Sequence, residues 1–421
     1  MATQFNTINW AEGASIYEVN IRQYTPEGTF KAFQQHLPRL KDMGISIIWL
    51  MPITPISLQK RQGLLGSYYA CSSYTAINPE FGTLNDFKEL VATTHSLGLK
   101  IIIDWVANHT GYDHHWTIEH PNFYLKDEDG NFVERNGWCD VIDLNFHNNT
   151  MQTALINAMQ YWIETCNIDG FRCDMAHLVP LDFWKKARTH CDAIKPLFWL
   201  AECEDIQYHQ VFDVTYSWAW MHATEAFIKE QSNLHKILSV LHEYEQYPSG
   251  CKKLFFTSNH DENSWNGSEY EKYNGAAKAL AIFTCTWNGM PLVYSGQEIP
   301  NYKRLQFFDK DAIDFTTPIQ LHEFYKTLLN FHKKKVIQQG ETFLINTHHQ
   351  AVMAYIRKKE NAVVLILLNL SNQNKIAVPI VHTALQGKFV NIFSNITYTF
   401  HQHQQFELQA FEYLVYEKII D

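Results

Sequence analysis

The sequence predicts an α/β protein, a (β/α)8 barrel of the TIM type that carries a short excursion and is followed by an antiparallel β-sandwich domain. Two patterns in the 421 residues predict this fold. Apolar runs alternate with amphipathic stretches up to about residue 335, as in a barrel whose parallel strands are covered by helices. Beyond that point the helical pattern stops and short strand-like segments follow. A doubly wound open sheet is the competing interpretation.

The predicted barrel strands are continuous apolar runs, which are typical of strands buried on both faces. They are expected at 15–21, 45–51, 99–106, 168–174, 197–202, 211–216, 254–259 and 291–294. Amphipathic helices are expected between them, at 29–43, 83–97, 149–166, 180–194, 234–244, 276–287 and 318–333. Gly44 is a stop signal for the first helix, and Thr83 with Asp86 resembles the capping box that begins the second.

Two interruptions divide the chain into domains. The barrel is predicted from residues 1–109 and 146–335. A short polar, turn-rich domain B, residues 110–145, is inserted after the third strand at the rim of the barrel. Residues 336–421 form the predicted C-terminal β domain, with strands at 342–346, 352–357, 363–368, 375–381, 389–393 and 407–416.

Composition excludes several classes of protein. Hydrophobic residues make up 46% and charged residues 19%, so the chain is expected to fold rather than stay disordered. The net charge of −10 argues against nucleic acid and anionic membranes as partners, because phosphate binding needs a cationic surface. No run approaches the roughly 20 apolar residues of a membrane span. Aromatic residues reach 14%, which indicates a large aromatic core or rings that line a sugar-binding groove.

Cysteine usage and the N-terminus bear on localisation. The eight cysteines are scattered singly and none forms C-x-x-C, which indicates reduced thiols. The N-terminal segment shows no basic region followed by an apolar run, so no secretory signal is visible. The sequence therefore predicts a cytoplasmic protein, and it leaves the oligomeric state open.

Polar residues gather where the predicted strands end, which is where barrel enzymes carry their working groups. The third strand ends at Asp104 and His109, and the fourth at Arg172 and Asp174. Glu202 ends the fifth, and the segment after the seventh reads His260-Asp261. Carboxylates at the mouths of several strands suit sugar-bond cleavage, because one acid must protonate the leaving oxygen while a carboxylate attacks or stabilises the cationic ring.

The spacing of Arg172 and Asp174 supports this hypothesis. Residues two apart on a strand face the same side, so both side chains are expected to point into the barrel. The guanidinium would then lower the pKa of Asp174 and keep it ionised, as a nucleophile requires. A structural salt bridge in the barrel core is the alternative interpretation.

Four segments resemble the signature regions of the α-amylase family of glycoside hydrolases, family 13, in order and spacing. They are residues 104–109 (DWVANH), 170–174 (GFRCD), 200–202 (LAE) and 258–261 (SNHD). The third has Ala201 where the family more often has glycine. The predicted barrel, excursion and C-terminal domain extend the resemblance over nearly the whole chain.

The resemblance implies a role for each matching residue. Asp174 would be the nucleophile, Glu202 the general acid/base, and Asp261 the third acid, which grips the ring hydroxyls. Arg172 would hold the nucleophile charged. His109 and His260 would hydrogen-bond the sugar in subsite −1.

Two neighbouring residues remain alternatives in this alignment. Tyr69 is the candidate for the tyrosine that stacks on the sugar, with Tyr68 as its rival in that register. Glu204 is the alternative acid, two residues after Glu202. Three tryptophans, Trp116, Trp138 and Trp265, are candidates either for stacking at the mouth or for packing.

The resemblance also raises the question of calcium, which many α-amylases bind. Asn108 matches one calcium position, and Asp140 or Asp143 would supply another. Leu178 replaces a histidine that such enzymes carry four residues after the nucleophile, and His177 comes one residue earlier. We therefore expect no required cofactor and no metal among the site residues, with calcium as the open alternative. The sequence also lacks the H-E-x-x-H zinc motif.

The sequence thus predicts a retaining hydrolase of α-1,4-glucosidic bonds, of α-amylase type, with starch-derived glucans or maltooligosaccharides as substrate. An α-glucosidase or glucosyl-transferring enzyme on short maltooligosaccharides is the second hypothesis. A catalytically silent glucan-binding protein is the third, although all three acids are present. The G-x-S-x-G motif of serine hydrolases and the nucleotide-binding glycine loops are absent.

Overall fold

The computed structural model describes Phe5 and residues 8–230, 234–248 and 250–420. The N-terminal residues 1–4 and 6–7, on which the localisation argument depends, lie outside this part of the chain, as does residue 421 at the end of the predicted C-terminal domain.

The strands, in chain order, are β1 (Ile16–Val19), β2 (Ile47–Leu50), β3 (Lys100–Trp105), β4 (His109–Gly111), β5 (Val141–Asp143), β6 (Gly170–Cys173), β7 (Phe198–Ala201), β8 (Val214–Tyr216), β9 (Lys252–Phe255), β10 (Met290–Tyr294), β11 (Glu341–Ile345), β12 (Val352–Lys359), β13 (Ala362–Asn369), β14 (Ile376–Val381), β15 (Gly387–Asn391), β16 (Thr397–Phe400), β17 (His403–Leu408) and β18 (Tyr413–Lys418).

The α-helices are α1 (Ile21–Tyr24), α2 (Phe30–Gln34), α3 (Leu37–Met43), α4 (Leu84–Ser96), α5 (Trp116–Glu119), α6 (Asn149–Cys166), α7 (Leu181–Asp192), α8 (Trp218–Glu230), α9 (His235–Glu245), α10 (Glu269–Tyr273), α11 (Ala277–Thr286), α12 (His322–His332) and α13 (Lys335–Gln338). Short 3-10 turns lie at Asn9–Ala11, Pro121–Phe123, Ala176–Leu178, Ile206–Gln210, Asn274–Ala276 and Thr383–Leu385, and a π turn lies at Glu262–Asn266.

Eight parallel strands close into a barrel, in the order β1-β2-β3-β6-β7-β8-β9-β10 and back to β1. The closed ring confirms the predicted (β/α)8 barrel over the open sheet. Apart from Lys100 at the start of β3, every residue of the barrel strands β1, β2, β3, β6, β7 and β8 is buried, which is why these strands lie in continuous apolar runs of the sequence. At the start of β6 the neighbouring backbone is very close, because a Cβ on Gly170 would lie 2.0 Å from the carbonyl oxygen of Phe198.

Local signals set the helix boundaries. Thr83 and Asp86 form the predicted capping box of α4, with the Asp86 N–H donating to Thr83 Oγ1 at 3.2 Å and the Thr83 N–H donating to Asp86 Oδ2 at 2.8 Å. Gly44 ends α3 in the left-handed conformation, with φ of 101°. Asn148 caps α6 by accepting hydrogen bonds from the N–H groups of Thr150 and Met151.

The predicted element pattern is wrong in several details. The single helix expected at 29–43 is two helices, α2 and α3, because Pro38 lacks an N–H and fits only the first turn of a helix. The prediction also missed α8 and the edge strand β16. The predicted strand at 407–416 covers the end of β17 and the start of β18, with Phe411 at φ of 56° between them.

The excursion after β3 is anchored by a small antiparallel ladder. β4 pairs with β5, with Thr110 opposite Ile142. The C-terminal strands form a six-stranded antiparallel sheet in the order β11-β12-β13-β18-β15-β16, and β14 pairs with β17 in a second sheet. Residues from both sheets share one apolar core, among them Leu365 and Val378, as in a β-sandwich.

Most of the large aromatic side chains are structural. Trp49, Trp105, Trp162, Trp199 and Trp220 are fully or almost fully buried. The eight cysteines are free, and six of them are buried. None of the helices in the described ranges has the length and apolar character that crossing a bilayer would require.

Candidate active site

The order of strands in the barrel decides which side chains meet at its mouth. β6 and β7 are neighbours, which brings Asp174, directly after β6, beside Glu202, directly after β7. β3 and β9 lie four strands apart in a ring of eight and therefore on opposite sides of the mouth. Segments that follow these two strands face each other across the acids.

A cleft of about 350 Å³ opens at this end of the barrel. All three predicted acids lie in its wall, together with Tyr69 and His109. The wall residues are Gln62, Ser67, Tyr69, His109, Trp138, Asp140, Val141, Asp174, Met175, Glu202, Asp261, Trp265, Phe307 and Phe308. The structure thus brings together side chains that are 192 positions apart in the sequence, from Tyr69 to Asp261.

Arg172 is the cation at the base of this cleft, and its side chain is fully buried. One guanidinium nitrogen, Nη1, donates to Asp174 Oδ1 at 3.0 Å and to Asp104 Oδ1 at 2.9 Å. The other, Nη2, lies 2.7 Å from Glu202 Oε2. A single guanidinium therefore holds the two predicted catalytic acids close together and is shared with a third carboxylate.

The backbone also positions Glu202. Met175, the residue after Asp174, has a left-handed backbone conformation with φ of 39° and ψ of 47°. Residues other than glycine rarely adopt this conformation. In this conformation the Met175 N–H donates to Glu202 Oε2 at 2.9 Å. Local backbone strain at the end of β6 is thus coupled to the orientation of the acid on β7.

The pKa of Asp174 is raised, whereas the sequence analysis expected Arg172 to lower it. Burial raises the pKa of Asp174 to about 7, with Arg172 opposing the rise and the neighbouring carboxylates Asp104 and Asp261 adding to it. Arg172 lowers the pKa of Asp174, as expected, but burial and the neighbouring carboxylates outweigh this effect, so the net shift is upward rather than downward.

The neighbouring carboxyl groups behave in the same way. Burial raises the pKa of Glu202 to about 7 and that of Asp104 to about 6, in both cases against the effect of Arg172. Since these groups interact, their protons belong to the cluster rather than to one residue. The cluster holds a proton close to neutral pH, which is what a general acid needs.

Asp261 and His260 form a separate ion pair on the segment after β9. His260 Nε2 lies 3.3 Å from Asp261 Oδ2, and the Asp261 side chain is 38% exposed to the cleft. Burial by itself would raise the pKa of Asp261, but the charge and hydrogen bond of His260 bring it below its ordinary value. Asp261 is therefore ionised at neutral pH.

Tyr69 and His260 are in contact, but only Tyr69 lines the cleft. The Tyr69 hydroxyl lies 2.7 Å from His260 Nε2 and donates to Asp104 Oδ2 at 3.1 Å, and the two rings stack with centroids 5.5 Å apart. His260 is 2% exposed and lies behind this ring. Of the two predicted histidines, the structure places His109 in the wall and His260 behind it.

His109 reaches the cleft from the start of the excursion. Its ring meets Trp138 edge-on at 5.1 Å, and its Nδ1 lies 3.2 Å from the Asn108 amide nitrogen. Burial lowers the pKa of His109 to about 4, so the ring is neutral at physiological pH. A neutral imidazole with Nδ1 accepting from Asn108 keeps its hydrogen on Nε2.

The structure distinguishes Tyr69 from Tyr68 and Glu202 from Glu204, because only the first of each pair lines the cleft. Tyr68 packs under the Arg22 guanidinium, 4.2 Å from the ring centroid, away from the cleft wall. Glu204 points toward α8, where its Oε2 accepts from the Ala219 N–H at 2.9 Å and its Oε1 contacts Tyr244. Neither residue is among the wall residues of the cleft.

Of the three candidate tryptophans, two line the cleft and one is part of the core. Trp116 is 8% exposed and packs against Phe123 and Tyr74, so it belongs to the core of the excursion. Trp138 and Trp265 line the cleft. They come from the segments after β3 and β9, and so from opposite sides of the mouth.

Two of the candidate calcium ligands, Asp140 and Asp143, have different surroundings. Asp143 is ion-paired, its Oδ2 accepting from Arg135 Nε at 2.8 Å, and Asp140 lies in the cleft wall. In the described ranges, the one grouping of three His, Cys, Asp or Glu ligand atoms within reach of a single ion is Asp42, His322 and Glu323. That group lies elsewhere, and Asp42 already accepts hydrogen bonds from Lys326.

The chain is similar to known proteins in both sequence and structure. The family model of the α-amylase catalytic domain matches residues 6–138 and 122–314, well over half of the chain. The chain belongs to the α-amylase family. It is therefore a glycoside hydrolase of family 13, as the four segments predicted.

Related proteins show the extent of the similarity. A maltogenic α-amylase from Thermotoga neapolitana superimposes with a TM-score of 0.90 and 30% identity, over 98% of this chain and 100% of that one. An α-amylase from Lactobacillus plantarum gives 0.89 and 27%, over 97% and 100%. An α-amylase of Haloarcula japonica is 26% identical over 391 residues, which is 86% of this chain and 56% of that protein. The chain thus spans about half the length of the Haloarcula enzyme.

Sequence reasoning missed several residues and contacts of the site. Phe307 and Phe308 lie in a long segment after β10 that carries no motif, so nothing in the sequence indicated their place in the wall. Asp104 was recognised as part of a motif but not as a partner of Arg172. Glu18 had a usable signal, because it is the one charged residue within the apolar run 15–21.

Proposed function

We propose that this α-amylase family enzyme hydrolyses internal α-1,4-glucosidic bonds of maltooligosaccharides and starch-derived glucans with retention of configuration. The observation that carries the proposal is the placement of Asp174 and Glu202 on the two nitrogens of one guanidinium, Arg172, in the wall of an open cleft. Retaining glycosidases need their two carboxyl groups close together, because one attacks the sugar while the other protonates the leaving oxygen.

The proposed reaction has two steps. In the first, an oxygen of Asp174 attacks the anomeric carbon while Glu202 protonates the glycosidic oxygen, which leaves as the new non-reducing end. In the second, Glu202 takes a proton from water, and the water displaces Asp174 from the glycosyl-enzyme. Asp261, which stays ionised beside His260, would accept hydrogen bonds from ring hydroxyls in the distorted sugar. Tyr69 would supply the stacking face and His109 a hydrogen-bond donor.

Internal cleavage is supported by the aromatic side chains on both sides of the acids. Trp138 stands on the β3 side of the mouth, and Trp265 stands on the β9 side with its ring 5.3 Å from that of Phe307. Aromatic rings stack on the apolar faces of sugars. Sugar units could therefore be held on both sides of the bond being cleaved.

The product pattern from end-labelled maltoheptaose tests this proposal. We expect labelled fragments of intermediate length to appear before glucose, and the new reducing ends to appear first as the α-anomer by NMR. Glucose as the only early product would favour an α-glucosidase, and longer labelled products would indicate glucosyl transfer. The Asp174→Asn variant is the control for contaminating activity, and absence of new reducing ends would favour a silent glucan-binding protein.

We also propose that the enzyme needs no calcium. The support is Arg135, whose guanidinium contacts the fully buried carboxylate of Asp143, the candidate ligand of the excursion. A cation from the chain thus already faces this carboxylate, whose other oxygen, Oδ1, is buried without a partner.

Removal of divalent ions is the corresponding measurement. We expect EDTA to leave the Tm and the kcat of the wild-type enzyme unchanged. Arg135→Ala should lower the Tm, because it leaves a buried carboxylate uncompensated, and added calcium should recover part of the loss. Arg304→Ala is the matched control, since it removes an arginine from an ion pair whose partners are both about half exposed. A fall in wild-type Tm with EDTA that calcium reverses would contradict the proposal.

A further inference from the structure

Glu18 is a buried carboxylate that the proposed reaction does not use. It lies within β1, its side chain is fully buried, and its Oε1 lies 2.5 Å from His260 Nδ1 and 3.3 Å from the His260 backbone nitrogen. Its second oxygen, Oε2, is buried without a hydrogen-bond partner. Across the described ranges, His260 is the one cationic side chain within ion-pair distance of Glu18.

The hydrogen atoms around His260 can be assigned from its neighbours. The Tyr69 hydroxyl has one hydrogen, which it donates to the Asp104 carboxylate. Its oxygen must therefore accept from His260 Nε2, which lies 2.7 Å away. On the other side of the ring, the Glu18 carboxylate can only accept from Nδ1. Both ring nitrogens then carry a hydrogen, which makes the side chain an imidazolium.

We propose that Glu18 is a positioning residue that holds His260 as an imidazolium, so that His260 fixes the Tyr69 hydroxyl and the Asp261 carboxylate at the cleft. This inference rests on the proposed function for its catalytic consequence, but the charge state of His260 can be measured without substrate. The pair makes His260 the second cation of the site, in addition to Arg172.

The surroundings of His260 support this assignment from every side. Carboxylates flank both ring nitrogens, and the pKa of His260 is raised well above its ordinary value by Asp261 and Glu18 although burial alone would lower it. The charged or titratable groups around the Glu18–His260 pair are Asp261 on its own segment, Tyr69 after β2, Asp104 on β3, Arg172 on β6, Tyr216 on β8 and Tyr294 on β10. Arg172 is the one other cation in that set, and it is occupied by three carboxylates.

Loss of the Glu18 charge has a defined consequence for the pH profile. An opposite charge within about 4–6 Å shifts a pKa by about 1–3 units. In Glu18→Gln, the pKa of His260 should fall by about that amount, so that the ring loses its proton at a lower pH than in the wild-type enzyme. Asp261 then loses its cation and binds a proton more readily, and the Tyr69 hydroxyl loses its donor.

The first experiment is 15N NMR of the imidazole nitrogens between pH 5 and 9, with the His260 signals assigned by their loss in His260→Asn. We expect both nitrogens of wild-type His260 to stay protonated well beyond the pH at which a free histidine loses its proton, and the ring to titrate about 1–3 units lower in Glu18→Gln. A neutral His260 in the wild-type enzyme at pH 7 would overturn the inference. This measurement needs only the folded wild-type protein.

The second experiment compares pH profiles of kcat and KM on maltoheptaose. We expect Glu18→Gln to lower kcat by about 10-fold or more with a smaller effect on KM, and the alkaline loss of activity to move to lower pH. Glu18→Asp should restore part of the kcat, because it keeps the charge. Glu269→Gln is the matched control, because Glu269 is equally buried but contacts Thr257, away from the cleft wall. An unchanged pH profile in Glu18→Gln would overturn the inference, whereas inactivity of the wild-type enzyme on maltoheptaose would overturn only the proposed function.

Discussion

Asp174→Asn is expected to lower kcat on maltoheptaose by about 10⁴-fold or more, the scale on which enzymes lose activity when a covalent nucleophile is removed. The amide is isosteric with the carboxylate, and Arg172 Nη1 can still donate to its oxygen, so the fold of the site should survive. What is lost is the anion that attacks the anomeric carbon. The measurement is the rate of reducing-end release at saturating substrate.

A substrate with a good leaving group distinguishes loss of the nucleophile from loss of the general acid. Fluoride needs little protonation to depart, so an α-maltosyl fluoride should still react when the acid is missing but not when the nucleophile is missing. We expect Asp174→Asn to release no burst of fluoride. A variant as active as the wild-type enzyme on both substrates would exclude Asp174 as the nucleophile.

Glu202→Gln is expected to lower kcat on maltoheptaose by about 10²–10⁴-fold, the range for loss of a general acid. On the maltosyl fluoride, its first step should remain fast, and the glycosyl-enzyme should accumulate because no base activates water. Mass spectrometry of the quenched enzyme would show an added maltosyl unit. Glu204→Gln is the matched control, because Glu204 lies two residues away and contacts Ala219 outside the cleft.

The pH dependence provides a further test of Glu202. Because burial raises the pKa of Glu202 to about 7, the wild-type kcat/KM on maltoheptaose should fall as the pH rises above about 7 and the acid cluster loses its proton. Glu202→Gln should lack this alkaline fall on the fluoride, for which no acid is required. If Glu204→Gln abolished turnover while Glu202→Gln did not, the assignment of the acid would be wrong.

Much of the fold was predictable because barrel strands and helices leave periodic signals in a single sequence. The continuous apolar runs and the Thr83–Asp86 cap located strands and helices. The errors arose where two elements share one pattern, as in the helix broken at Pro38, or where an edge strand buries little, as in β16.

Residues of the site were predictable from the sequence only where they lie in a motif. Asp174, Glu202 and Asp261 could be named from the sequence because each lies in a short motif at the end of a strand. Residues without a motif, such as Phe307, could not be found in this way.

Taken by itself, the sequence determined the alternation of strands and helices, the family, and the identity of the three acids, since all of these depend on neighbours along the chain. Only the tertiary structure decided how charge is distributed among them. The pKa of Asp174 rises rather than falls because burial outweighs the effect of Arg172, which is also shared with Asp104 and Glu202 from two other strands. The contact between Glu18 and His260 likewise exists only because the barrel closes and brings β1 close to β9, on the far side of β10.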